Sequence, residues 1–144
     1  MALIIPTIMS KINKIDHAKH NEEVCNFLSP QENYIDWVIT TAFYSAIHYV
    51  DHKLFPMKVN HESGSKFTIK SIDEYRNNFP KKGIDKHTYR AELVQSRCAP
   101  IHANFLWLRS ASGTARYSNY IFSKPKEVLV TAKKHLEAIS IHCS

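Results

Sequence analysis

Nine histidines, three cysteines and five arginines are the side chains of this sequence with the most chemistry to offer. His48 and His52 stand one helical turn apart, a spacing that can chelate zinc. His17 with His20, and Cys98 with His102, are further local pairs. None is completed into a site. The sequence contains no HExxH and no Glu-x-x-His of the kind that builds di-iron centres in bundles. No metal and no cofactor is therefore expected, and His48 reads as a hydrogen-bonded core or interface group held by Tyr44 or Asp51. Cys98 lies four residues before His102, but nucleophile and base in thiol enzymes meet through the fold, not by adjacency in sequence. Cys25, Cys98 and Cys143 are odd in number and widely spaced, with no CxxC. They form no disulfide framework and fit a reducing cytoplasm.

The charges are more informative. The formal net charge is +6, yet residues 1–60 hold five lysines against six acids, while residues 61–144 hold fourteen Lys and Arg against seven. All five arginines (Arg76, Arg90, Arg97, Arg109 and Arg116) lie in that second part. A one-sided basic surface suits a phosphate-bearing partner such as RNA or a nucleotide, with simple solubility as the competing reading. The glycines limit how phosphate could be held. There are three, Gly64, Gly83 and Gly113, where average usage gives about ten. Scattered as they are, they make neither a Walker loop nor a GxGxxG turn, which excludes both common nucleotide-binding loops. Any phosphate contact must come from side chains on helices.

The elements that carry these residues read as helices. Met1–Met9 is an apolar arm without a basic leader, far too short to span a bilayer, so no membrane partner is expected. Residues 10–144 are long enough for one domain with a sizeable core. Ser10 is placed as the N-cap of a helix over 11–28, which Ser29-Pro30 ends. A helix over 31–55 carries two adjacent stripes, Ile35/Val38/Ala42/Ala46/Val50/Leu54 and Trp37/Thr41/Tyr44/His48/Asp51/Phe55, so it should be buried on more than one side. Residues 56–66 read as a polar loop, and 66–78 as a short helix with Phe67, Ile72, Tyr75 and Phe79 inward. Asp85 caps a long pattern over 86–112 that Pro100 must kink or divide, with Gly113 as its C-cap. Ser123 and Pro125 open a last helix. No stretch alternates with period two. The fold class expected is all-α, an up-and-down bundle of four to five helices.

Three segments resemble one family. Residues 36–51, DWVITTAFYSAIHYVD, look like the second helix of small HEPN domains (higher eukaryotes and prokaryotes nucleotide-binding). Asn60-His61-Glu62-Ser63 resembles the His-containing stretch before their next helix. Residues 108–117, LRSASGTARY, are similar to their LxxxSxxARY-like junction before the last helix. The resemblance covers about residues 10–140 and implies a compact HEPN-like bundle that forms homodimers. Many members are metal-independent ribonucleases, toxins paired with a nucleotidyltransferase-type antitoxin.

The family's catalytic signature is an arginine, four to six residues, then a histidine. Arg97 and His102 match it with four residues between them. The resemblance then implies His102 as general acid or base and Arg97 as the group stabilising the phosphorane. The sequence departs from the pattern in three ways. Cys98 replaces the usual polar neighbour, Pro100 intrudes, and the junction holds Arg109, Arg116 and Tyr117 but no histidine. On a straight helix, residues five apart diverge by about 140°, so only a Pro100 kink would bring Arg97 and His102 together.

The function expected is therefore an RNA-, nucleotide- or partner-protein-binding module without strong catalysis. Arg109, Arg116 and Tyr117 contact the ligand, and Tyr44, His48 and Asp51 form a polar interface or pocket. The alternatives are the ribonuclease, or a structural dimerisation module using the Trp37/Tyr44/His48/Phe55 stripe. If Arg116 and Tyr117 serve only as anchors, Arg116 should pair with a buried acid and Tyr117 should seal the bundle end.

Overall fold

The computed structural model describes residues 12–119 and 121–144. Its elements run α1 (Lys14–Leu28), α2 (Ile35–Leu54), β1 (Met57–Asn60), β2 (Lys66–Ile69), α3 (Ile72–Asn78), α4 (Lys86–Arg97), α5 (His102–Tyr117) and α6 (Pro125–Cys143). The result is an all-α bundle with one small hairpin.

Helix α2 is its axis. Thirteen of its twenty residues are buried, more than one apolar stripe can account for, because α1, α4, α5 and α6 all pack on it. The contact with α1 is close because the facing residues are small. Ser45 Oγ donates to the carbonyl of Ala18 at 2.7 Å, and both residues are fully buried. One turn on, Tyr49 donates to Glu22 Oε2 at 3.0 Å, so the buried phenol keeps a partner. All eight elements contribute to one cluster of buried side chains, with Phe43, Phe105, Ile39, Leu108 and Ile139 among its largest fully buried members.

Helix starts follow local chemistry. Asn13 Oδ1 accepts from the Asp16 N–H at 2.9 Å and caps α1; the Ser10 cap expected above lies outside the described residues, as does the 1–9 arm. Ser71 caps α3, and Asp85 caps α4 as expected, accepting from the Thr88 N–H at 2.7 Å. Pro125 stands in the first turn of α6. Pro100 divides the long 86–112 pattern: Cys98 ends α4, a 3₁₀ turn covers Ala99–Ile101, and α5 follows at once.

Four expectations fail, one of them at the last helix, where Lys124 and not Ser123 is the N-cap. Residues 56–66 are not all loop, and the next helix does not start at 66. Met57–Asn60 pairs antiparallel with Lys66–Ile69, Met57 opposite Ile69, through a turn where Gly64 takes a positive φ of 84°. Each four-residue strand is too short to show period two against its surroundings. What holds the hairpin is burial of Met57 and Ile69 against the bundle, at 3% and 0% exposure. Nor does Gly113 end a helix: α5 continues through it to Tyr117, and Ser118 is the cap. The buried series Phe105, Leu108, Ser112, Ala115 keeps helical spacing across the glycine. One interior glycine costs only about 1 kcal/mol relative to alanine, less than that packing returns.

Candidate anion-binding site

Helices α2, α4 and α5 bring three of the five arginines together. Arg90 on α4 is 4% exposed and reaches α2, its Nε donating to Asp51 Oδ1 at 2.8 Å and its Nη2 to Oδ2 at 3.0 Å. A buried guanidinium persists only when so paired, and the planar fork matches a carboxylate on both edges. Asp51 therefore belongs to Arg90, and this ion pair locks α4 onto α2.

The other two arginines lie on α5. Residues 109, 112 and 116 fall within about 60° of one another at 3.6 residues per turn, so Arg109, Ser112 and Arg116 share a face. Arg109 Nη2 donates to Thr88 Oγ1 at 2.9 Å and stands 3.7 Å from Asp85, a largely exposed carboxylate. Arg116 Nη1 donates to the Tyr44 hydroxyl at 2.8 Å and its Nε to the Ser112 carbonyl at 3.3 Å. Its guanidinium lies 5.0, 5.5 and 5.9 Å from the ring centres of Tyr117, Tyr44 and Phe43, inside cation–π range. Among the described residues no carboxylate comes within ion-pair distance of Arg116. Aromatic rings and a phenol hold it in place, and its charge stays uncompensated.

His87, at the start of α4, completes the cluster. Its ring sits 5.5 Å from that of Phe43. Burial first, then the charges of Arg90, Arg109 and Arg116, hold its pKa below the ordinary histidine value, with Asp85 opposing. These surroundings favour the neutral imidazole over the charged one. Its Nδ1 is buried and meets no hydrogen-bond partner, and the only other such side-chain atom among the described residues is Ser112 Oγ. Buried polar groups are nearly always satisfied, and an orphan costs roughly 1–3 kcal/mol. Both orphans belong to this one arginine cluster.

The residues picked out from sequence are thus partly brought together. Arg116 meets Tyr44 and Tyr117, while Arg109 turns to Thr88 and Asp85. Tyr117 is 80% exposed, so it does not seal the bundle end, and the buried acid goes to Arg90, not Arg116. Tyr44, His48 and Asp51 do not form one pocket. Tyr44 turns to Arg116 and Asp51 to Arg90, while His48 stacks on His17 with ring centres 3.6 Å apart. No hydrogen bond holds His48 to Tyr44 or Asp51 among the described residues. Burial and the neighbouring His17 bring the His48 pKa down to about 4. Arg97 ends α4 exposed and His102 begins α5 half-buried, with the Pro100 turn between them. Among the described residues no hydrogen bond or ring contact joins that pair.

Sequence reasoning missed His87, Thr88, Arg90 and Ser112. A signal existed for Ser112, because 109, 112 and 116 have helical spacing. It was hidden by reading Gly113 as a helix end. The Asp51–Arg90 pair spans 39 residues and leaves no local signature.

No helix among the described residues is long and apolar enough to cross a membrane. Comparison with protein-family models, with curated proteins and with solved structures finds no match to this chain.

Proposed function

We propose that this chain is a HEPN-like module that binds the phosphate of RNA or a nucleotide between α2, α4 and α5. The observation that carries the reading is the pair of buried, partnerless polar atoms, His87 Nδ1 and Ser112 Oγ, beside arginines of which Arg116 has no counter-charge. A phosphate oxygen supplies what both lack, acceptor capacity for a hydroxyl or ring N–H and negative charge for the guanidinium groups. Tyr117 then offers an exposed ring on which a base can stack. The excess of basic residues after position 60 adds the long-range attraction. Three unpaired cysteines suit a reducing, cytoplasmic setting. Homodimerisation and a nucleotidyltransferase-type partner remain expectations of the family resemblance. The test is binding of labelled single-stranded RNA by fluorescence anisotropy. Arg116→Gln should weaken it at least tenfold while the circular dichroism spectrum stays unchanged; undiminished affinity refutes the site.

His87 favours a second reading, metal-independent cleavage. A neutral imidazole with a free nitrogen is in the right state to take a proton from a ribose 2′-OH, and Arg109 and Arg116 would stabilise the charged phosphorane. This assigns the base to His87 instead of His102. RNA loss in EDTA that disappears in His87→Ala but persists in His102→Ala supports it. Intact RNA at high protein concentration rejects cleavage and leaves binding standing.

A further inference from the structure

A second basic site lies between α3 and the first turn of α4. It is a pocket of about 280 Å³, and Asp73, Arg76, Asn77, Lys81 and Tyr89 are among the residues that line it. Tyr89 is its fixed wall. That side chain is 2% exposed, and its hydroxyl donates to the Phe79 carbonyl at 2.8 Å and accepts from the Lys81 N–H. The Arg76 guanidinium carbon and the Lys81 ammonium each stand 5.6 Å from the centre of its ring, inside cation–π range. Lys81 also meets Glu92, and Lys86 meets Asp73, in ion pairs open to water. Among the described residues no carboxylate comes within ion-pair distance of Arg76. Like Arg116, it is positioned by an aromatic ring while its charge stays uncompensated.

The two basic sites flank one element. His87 turns to Phe43 and the Arg109–Arg116 cluster, whereas Tyr89, two residues on, turns to Arg76 and Lys81. Side chains two apart on a helix point about 200° from one another, so the sites lie on opposite sides of the first turn of α4. Residues 76–90 carry five Lys and Arg against the single acid Asp85, which makes the path around that turn cationic on balance.

We propose that the α3–α4 pocket is a second phosphate subsite, in which Arg76 and Lys81 hold one phosphate of a single-stranded RNA while Arg116 holds another. The inference rests on the phosphate-binding reading above and narrows its ligand from any nucleotide to an oligonucleotide. Pockets that enclose a whole small ligand run from about 300 to 1,000 Å³, so this smaller one takes a phosphate group and leaves sugar and base outside. A helix with its side chains is about 10–12 Å across, a gap that one phosphate cannot bridge and a strand of several nucleotides can. Arg76 brings a planar fork of donors matched to phosphate oxygens, and Lys81 a flexible point charge. An exposed pair such as Lys81–Glu92 is weak enough for the ammonium to exchange its carboxylate for phosphate.

The experiment compares a short labelled single-stranded RNA, read by anisotropy across a salt series, with uridine monophosphate, read by calorimetry. Arg76→Gln should weaken RNA binding about fivefold and make its salt slope shallower by about 0.7, with uridine monophosphate affinity unchanged. Arg76→Lys keeps the charge and should restore the slope, which a merely structural role for the arginine would not do. Arg116→Gln should weaken both ligands. RNA bound by Arg76→Gln with wild-type affinity and slope overturns this inference and leaves the first site standing. Equal losses for RNA and uridine monophosphate in Arg76→Gln overturn it as well, since Arg76 would then serve the first site or the fold. A wild type that binds neither ligand strikes down the phosphate reading and this inference with it. The RNA slope decides the matter even where uridine monophosphate binds too weakly to measure.

Discussion

Removing the carboxylate of Asp51 is the sharpest test of how this bundle holds its cationic cluster. Arg90 is 4% exposed and Asp51 9%, joined by two hydrogen bonds of 2.8 and 3.0 Å. Asp51→Ala leaves a guanidinium buried without its counter-charge, and breaking such a pair costs roughly 3–5 kcal/mol. With a urea m-value near 2 kcal/mol/M, typical of a chain this size, the unfolding midpoint should fall by roughly 2 M. Asp51→Asn keeps one acceptor and should fall by less. Two controls separate burial from generic charge effects. Lys81–Glu92, 2.7 Å long but about half exposed on both sides, should leave the unfolding midpoint almost unchanged when Lys81 becomes alanine. The Asp51→Ala loss should also persist in high salt, since buried pairs are screened much less than exposed ones. An Asp51→Ala loss under about 1 kcal/mol, or one that vanishes in salt, would refute the reading of this pair as the lock between α2 and α4.

Three further outcomes follow. Gly113 lies within α5 without a positive φ, and a Cβ built there meets nothing within 4 Å, so Gly113→Ala should stabilise by about 0.5–1 kcal/mol in chemical denaturation; a loss would show the helix does need glycine. Ser112→Ala removes a buried hydroxyl without a partner, so the free protein should hold or gain up to about 1 kcal/mol while RNA affinity falls; a destabilised free protein would mean the hydroxyl is satisfied. The His48 pKa lies at about 4 in the fold, below its ordinary 6.5, so the folded state binds fewer protons than the unfolded one. Its stabilising contribution is full above about pH 6.5 and is lost as pH falls through 6.5 toward 4. Urea midpoints at pH 7.5 and 5 should show that drop and His48→Gln should lessen it; an unchanged drop contradicts the assignment.

The helices were legible in the sequence because their signals are local. Asp85, Pro100 and Pro125 each mark a boundary through backbone chemistry, and the first stripe of α2 announces a buried face. Trp37 and Tyr44 of the second stripe are exposed, and the further burial falls on Ile39, Phe43 and Ile47. The hairpin was not legible, because strands of four residues are held by the burial of Met57 and Ile69 in a core contributed by distant helices. In the candidate site, Arg109, Arg116 and Tyr117 were singled out because residues 108–117 resemble the family's junction; Arg116 and Tyr117 meet Tyr44 or one another, while Arg109 turns to Thr88. Asp51–Arg90 was not legible, since nothing local distinguishes a carboxylate that will meet an arginine 39 positions later. Gly113 shows how one misread boundary spreads. Ending α5 there concealed the shared face of Arg109, Ser112 and Arg116, and with it the orphan hydroxyl that argues most directly for a ligand.

Binding of single-stranded RNA across a salt series, with wild type, Arg109→Gln and Arg116→Gln side by side, tests the central claim most directly. Each phosphate contact to a single strand contributes about 0.7 to the slope of log affinity against log salt. The account predicts wild-type binding that weakens steeply with salt, and for each variant a weaker affinity with a slope shallower by about that amount. A salt-independent affinity, or variants that bind as wild type with the same slope, would contradict it.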